Sequence, residues 1–208
     1  MSRASQNGRV ILASKSPRRR DLLEQAGLDF SVIPADFDEN DVAFSDPETY
    51  VKTLAEAKAG EVSRKHPESW VIGADTIVMI DGKLLEKPVS VQDARNMMNL
   101  LSGKWHTVFT GFCARRHAPR RLFSETAATR VRFKTLSRQE VEWYIHTEEP
   151  FDKAGGYAIQ GLGTRLVREI KGSYTNVVGL PVCEVMDRLT REDVVRPGPF
   201  APPRRSLS

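Results

Sequence analysis

The sequence is poor in the residues that usually hold metals or staple a fold. Among its 208 residues it has two cysteines, Cys113 and Cys183, and four histidines at 66, 106, 117 and 146. The cysteines are far apart, each in an apolar run, so the spacing excludes a disulfide framework and predicts two buried thiols. No His-x-x-x-His or similar pattern occurs, which argues against a histidine-based zinc site. No uninterrupted apolar run approaches the ~18 residues of a membrane span. The polar segment 1–9 lacks a signal-peptide core, so the cytoplasm is the expected compartment. A Walker-type Gly-x-x-x-x-Gly-Lys-Ser/Thr is missing, and Gly161-Leu-Gly163 lacks the third glycine of a dinucleotide fingerprint.

A one-signed body is also lacking. The net charge is +4 and the isoelectric point near 9.2, yet the surplus sits at the ends. Arg3 and Arg9 make residues 1–9 basic, and four arginines outweigh Glu192 and Asp193 in 191–208. Residues 10–190 are then close to neutral, a weak footprint for nucleic acid. Neither a membrane nor a nucleic acid is expected as partner. What remains, 40% hydrophobic and 28% charged residues, is the composition of an ordinary globular protein.

Strand and helix signals alternate along the chain. Val10-Ile-Leu12 breaks into Ala13-Ser-Lys-Ser-Pro-Arg-Arg-Arg20, a buried strand feeding a helix with Ser16 as N-cap and Pro17 first in the helix. Leu22, Leu23 and Ala26 form its apolar stripe and Gly27 its stop. Three arginines on a first turn oppose the helix dipole, and the exposed N–H groups there suit an anion. Phe30–Pro34 predicts a short strand, and Asp46-Pro47 starts a helix through Val62. Trp70–Ile80 predicts a strand that turns at Asp81-Gly82 into Lys83–Leu85. Ser90 and Ser137 open helices with capping-box patterns, and Trp105–Arg115 with Arg121–Phe133 reads as a hairpin. A glycine-rich run 155–161 follows, then the strand Thr164–Ile170, the segment Asn176–Leu180, and a last helix from Pro181 through Leu189. The expected fold class is α/β, a mixed twisted sheet with flanking helices. Residues 1–9 are expected to be flexible, 10–190 to form one catalytic domain, and the Pro/Arg-rich 191–208 to be a disordered tail.

Asp75 is the sharpest candidate for chemistry. It lies inside an apolar strand, where an ionised carboxylate is costly unless paired with a cation. Glu39, in the acidic loop 36–39, would add a second hard oxygen ligand for Mg²⁺ or Mn²⁺. Lys58, Lys87 and Lys153 are candidate anion partners, the last beside glycines that allow close backbone approach. The amide of Gln160 carries a donor and an acceptor, as reading a base edge requires.

The ordered set Ala-Ser-x-Ser-Pro-Arg-Arg (13–19), Asp38-Glu39, Gly-Ala-Asp-Thr (73–76), Glu-Lys-Pro (86–88), Leu-Ser-Gly (101–103), Asp-Lys-Ala-Gly-Gly-Tyr-Ala-Ile-Gln-Gly (152–161) and Gly-Ser-Tyr-x-Asn-Val-Val-Gly-Leu-Pro (172–181) resembles the Maf family of nucleoside triphosphate pyrophosphatases. The resemblance implies two lobes around a cleft, as in the inosine triphosphatase group, and hydrolysis of a nucleoside triphosphate to monophosphate and pyrophosphate. It implies Asp75 as proton acceptor and Glu39 with Asp75 as metal ligands. Ser14, Arg19, Lys58 and Lys87 would lie around the triphosphate, and Arg18, Thr76 and Gln160 would choose the base. Arg18, Ala74-Asp75-Thr76 and Ile159-Gln160-Gly161 are similar to the dTTP/UTP branch of that family. A 7-methyl-GTP or modified-purine activity, and a nucleotide-binding regulator of cell division without turnover, are the alternatives. The resemblance leaves room for a homodimer.

Overall fold

The structure is a computed structural model and describes residues 5–196. Its frame is a mixed seven-stranded sheet. The strands are β2 (Val10–Leu12), β3 (Ser31–Val32), β4 (Trp70–Ile80), β5 (Lys83–Leu85), β6 (Trp105–Arg116), β7 (Arg121–Phe133) and β8 (Val167–Lys171), in the spatial order β3-β2-β4-β6-β7-β8. β2 is parallel to β3 and β4, while the β4–β5, β4–β6, β6–β7 and β7–β8 pairs are antiparallel. All three β2 residues are buried, which explains why the strand reads as a continuous apolar run instead of an alternating one.

One edge of β4 is shared by two partners. Its first residues, 70–72, pair with β2, and its last, Val78–Ile80, pair with β5. Between them, residues 73–77 have no strand on that side, although the other edge stays paired with β6. A crevice opens at this gap, beyond the carboxyl end of β2, as open α/β sheets provide where strand order switches.

Helices cover both faces. α2 (Pro47–Lys65), capped by Asp46 accepting from Thr49 N, lies directly on β4 and β6. Two glycines permit that approach. A Cβ on Gly73 would stand 2.3 Å from Ala55 O, and one on Gly111 would stand 2.3 Å from Val51 O. Any side chain there would lift the helix off the sheet. The opposite face carries two apolar clusters. One gathers Leu22 and Leu23 of α1 (Pro17–Gln25) with Val185 and Leu189 of α6 (Val182–Arg191). The other gathers Met98 and Leu101 of α3 (Val91–Leu101) with Val141 and Tyr144 of α4 (Arg138–Ile145). Ser90 and Ser137 cap α3 and α4, the latter with the full capping box.

The observed elements depart from the sequence reading in four places. Ser16 holds the N-cap position of α1 but its hydroxyl makes no capping bond; Ser14 Oγ accepts from Ser16 N at 3.2 Å instead. The strand expected from Thr164 begins at Val167, because residues Gly161–Arg165 wind into a 3₁₀ turn. Asn176–Leu180 is mostly the end of a short helix, α5 (Tyr174–Val178), whose N-cap Ser173 accepts from Asn176 N. Cys113 is buried as expected, but Cys183 is exposed, since position 183 falls on the outer face of α6. The folded unit also extends past both expected boundaries. β1 (Ser5–Gln6) pairs antiparallel with β9 (Val195–Arg196), and Val194 and Val195 pack into the core. The rest of the two segments read as tails, 1–4 and 197–208, lies outside the described residues. No helix among the described residues is long and apolar enough to cross a membrane.

Candidate active site

The crevice beside β4 is a cleft of ≈ 790 Å³. Every candidate residue from the sequence lines it: Ser14, Arg18, Arg19, Glu39, Lys58, Asp75, Thr76, Lys87, Lys153 and Gln160. These positions span almost 150 residues of chain, so their convergence is a tertiary fact that no local spacing dictates.

Asp75 anchors the floor. Along β4, Gly73, Asp75 and Ile77 share the face that meets α2, and the absent Cβ at Gly73 lets the helix come close enough for Lys58 to reach the carboxylate. Lys58 Nζ lies 2.6 Å from Asp75 Oδ1 and 2.7 Å from Glu39 Oε1. Glu39 arrives on a 3₁₀ turn (Glu39–Asp41) whose N-cap, Asp38, accepts from Asn40 N. One ammonium thus bridges two carboxylates, leaving one negative charge in excess. Asp75 is only 7% exposed, and burial pushes its pKa up against the opposing charges of Lys58 and Arg19. Burial also pushes Glu39 up, but the hydrogen bond and charge of Lys58 outweigh it and hold Glu39 below the usual carboxylate range.

Arg19 stands in the opposite electrostatic situation. Its Nε donates to Gly179 O at 2.7 Å, Nη1 to Ala74 O at 2.8 Å and Ser14 Oγ at 3.2 Å, and Nη2 to Thr76 Oγ1 at 3.1 Å. All four acceptors are neutral. The guanidinium is fixed, and burial lowers its pKa while Asp75 raises it. A half-buried cation without a bonded carboxylate is costly unless an anion joins it. Position 19 sits on the first turn of α1, where positive charge also opposes the helix dipole.

At the mouth, Arg18 Nη1 donates to Asp152 Oδ2 at 2.8 Å, joining α1 to the 3₁₀ turn (Glu149–Asp152) that precedes the glycine-rich loop. Lys153 donates to Glu149 O at 2.6 Å and also pairs with Asp152. Burial pushes Asp152 up, but Lys153 and Arg18 together hold it below the usual carboxylate range. Gly155, at φ 72, donates its N–H to Glu86 O, and a Cβ there would stand 3.0 Å from Val78. Only a glycine takes that backbone so near β4. Ala158 N donates to Tyr144 Oη, and Gln160, at the end of the loop, lines the cleft.

Sequence reasoning missed Asp152, Gly179, Thr110 and Asn176. Asp152 precedes Lys153, but nothing local reveals that it meets Arg18. Gly179, at φ 128, did carry a signal, since a glycine before Leu-Pro marks a helix end.

No group of three or more His, Cys, Asp or Glu side chains that could hold a metal ion occurs among the described residues. Two carboxylates aimed at one cation nonetheless suit a hard divalent ion, which is commonly held by one or two carboxylates plus substrate phosphates. Glu39 and Asp75 fit that donor set.

With the geometry in place, the comparisons with known proteins are decisive for the family. The description of the Maf family, "Maf-like protein", matches residues 9–192. The chain belongs to the Maf family. A dTTP/UTP pyrophosphatase of Syntrophus aciditrophicus (strain SB) is 45% identical over 181 residues, covering 87% of this chain and 88% of its own. One from Geotalea uraniireducens (strain Rf4) is 48% identical over 88% of this chain and 94% of its own. One from Acholeplasma laidlawii (strain PG-8A) is 42% identical over 89% and 97%. A solved structure, protein VC0702 from Vibrio cholerae, aligns at TM-score 0.32 and 13% identity over 71% of this chain and 72% of that one, too low to bear on fold or function.

Proposed function

We propose that this Maf-family protein hydrolyses dTTP and UTP to the nucleoside monophosphate and pyrophosphate. The single observation that carries the reading is the charge arrangement of the cleft. Two carboxylates share one lysine on one side, and a half-buried arginine hydrogen-bonded only to neutral groups stands on the other. That pattern suits a cation and a polyanion bound together. The curated relatives named dTTP/UTP pyrophosphatase point the same way.

In this reading the triphosphate lies against Arg19, Ser14, Lys58, Lys87 and Lys153. Asp75 accepts the proton of a water as its oxygen bonds to the α-phosphorus. The bond from that phosphorus to the bridging oxygen breaks, and pyrophosphate leaves. A raised Asp75 pKa suits the role, since a base poised nearer neutral pH takes a proton more readily. Glu39 and Asp75 would hold a divalent cation, Mg²⁺ or Mn²⁺, which when bound supplies neutralisation of the charge growing on the phosphates. Gln160 would read the alternating carbonyl and N–H of a uracil or thymine edge, with Arg18 beside it. A soluble cytoplasmic setting accords with this substrate.

The test is a panel of dTTP, UTP, CTP, GTP, 7-methyl-GTP and ATP with Mg²⁺ or Mn²⁺, products separated by chromatography. Monophosphate and pyrophosphate from dTTP and UTP ahead of the others are expected. Preferred turnover of 7-methyl-GTP would overturn the base assignment, and no turnover of any nucleotide would overturn the activity.

A further inference from the structure

Thr76, Thr110 and Asn176 form a chain of hydrogen bonds that begins at Arg19 and runs away from the cleft. Arg19 Nη2 donates to Thr76 Oγ1, which lies 2.9 Å from Thr110 Oγ1, and Thr110 Oγ1 lies 3.1 Å from Asn176 O. A carbonyl oxygen only accepts, so Thr110 gives its proton to Asn176 O and receives the proton of Thr76. Thr76 has a second acceptor at Gly179 O, but at 3.4 Å that contact is the longer one. The order of donation is thereby Arg19 to Thr76 to Thr110 to Asn176.

Asn176 also fixes the other anchor of Arg19. Its carbonyl accepts from Gly179 N at 3.0 Å, and Gly179 O receives Arg19 Nε. Its side chain ties α5 to the sheet: Nδ2 donates to Val108 O at 3.2 Å and Thr129 Oγ1 at 2.8 Å. The opposite amide orientation would press Oδ1 against Val108 O, so the donor positions are set even though buried Oδ1 itself has no partner. Thr110 and Asn176 are both 0% exposed, and neither lines the cleft.

We infer that Thr110 and Asn176 are positioning residues for Arg19. They hold the guanidinium in register for an anion without touching substrate themselves. The inference rests on the proposed reading insofar as that anion is a polyphosphate. A guanidinium with only neutral acceptors has no charge pairing to centre it, so its aim depends on the rigidity of those acceptors. Removing the Thr110 hydroxyl would leave the Thr76 proton to compete with Arg19 for Gly179 O.

The experiment compares Thr110→Val and Thr110→Ser. Binding of inorganic tripolyphosphate is measured by calorimetry in the wild-type and Arg19→Met backgrounds, and turnover of dTTP in the wild-type background. Thr110→Val is expected to weaken tripolyphosphate about fivefold, the effect of one lost neutral hydrogen bond passed on to Arg19 through Thr76. Thr110→Ser is expected to stay within about twofold of wild type, and in the Arg19→Met background Thr110→Val is expected to add nothing. An equal loss in both backgrounds, or a loss that serine fails to restore, would overturn the inference, because a purely structural role produces those results. Failure of the wild-type protein to bind tripolyphosphate would overturn its premise. Tripolyphosphate binding with this pattern but no turnover of any nucleotide would sustain the positioning chain while sinking the pyrophosphatase reading.

Discussion

Asp75, buried, and Arg19, half-buried, are charges in one cleft, yet the protein surrounds them in opposite ways. Asp75 has a bonded counter-ion, Lys58, which it shares with Glu39, so that corner keeps an excess of negative charge. Arg19 has four neutral acceptors and no bonded carboxylate, so its corner keeps an excess of positive charge. Each corner is under-compensated in the sense that a ligand of the opposite charge would correct, a cation beside Asp75 and an anion beside Arg19. A fold selected for stability alone would have paired the two, since drawing a charge out of water without a charged partner is costly. In the proposed function, holding them apart makes the cleft receptive to a cation and a polyanion at once.

The contrast can be broken from either side. Asp75→Asn keeps the shape of the side chain and removes the negative charge and the proposed base. It is expected to lower dTTP turnover by about 10²–10⁴-fold, the range for loss of a general base, and to weaken Mn²⁺ binding without nucleotide. Calorimetry and product chromatography read the two effects. Arg19→Met is expected to lower kcat/KM by about 10²-fold, as loss of one preorganised donor to developing charge does. Mn²⁺ binding in the absence of nucleotide should survive that substitution. If Arg19→Met abolished Mn²⁺ binding, or Asp75→Asn left it intact, the two corners would not be the separate cation and anion sites described.

A further titratable group, buried like Asp75, sharpens the comparison because it stays neutral. His106, 3% exposed, meets Tyr157 Oη at 2.6 Å, and burial pushes its pKa down to about 4 from an ordinary value of 6.5. The unfolded chain therefore binds a proton near pH 6.5 that the folded chain refuses until about pH 4. The contribution of this group is fully present above pH 6.5 and is lost as pH falls toward 4, with a slope of about 1.4 kcal/mol per pH unit inside that window. Urea unfolding from pH 7 to pH 4 should show a shallower loss in His106→Gln than in wild type, and equal slopes would contradict the assignment. The smallest expected effect is on selectivity. Gln160→Glu removes the amide donor and is expected to shift preference from dTTP toward a guanine nucleotide by about tenfold, read from the ratio of kcat/KM values.

Much of this arrangement was legible before the fold was known, and particular residues explain where legibility stopped. Asp75 stood out because an acidic residue inside an apolar strand contradicts its own surroundings, and such a conflict marks function. Lys58 and Lys87 had no such mark; on sequence alone a helical lysine resembles any solvated one, and the motif resemblance singled them out. The Ser14–Arg20 corner was visible as cations placed against a helix dipole. The glycines at 73 and 111 were silent, because their purpose is the proximity of α2, which is a relation between distant segments. Asp152 and Asn176 were silent for the same reason. The boundary residues failed differently. Composition marked 191–208 as a tail, but Val194 and Val195 are apolar enough to close against Leu189 and extend the fold. Cys183 shows that an apolar neighbourhood in sequence is not burial when the helix turns that position outward.

The most direct test of the polyphosphate-and-water reading is hydrolysis of dTTP in ¹⁸O-labelled water, with the products separated and weighed by mass spectrometry. Attack at the α-phosphorus, beside Asp75, predicts one ¹⁸O in dTMP and none in pyrophosphate. Label in pyrophosphate, or release of orthophosphate with dTDP, would contradict it.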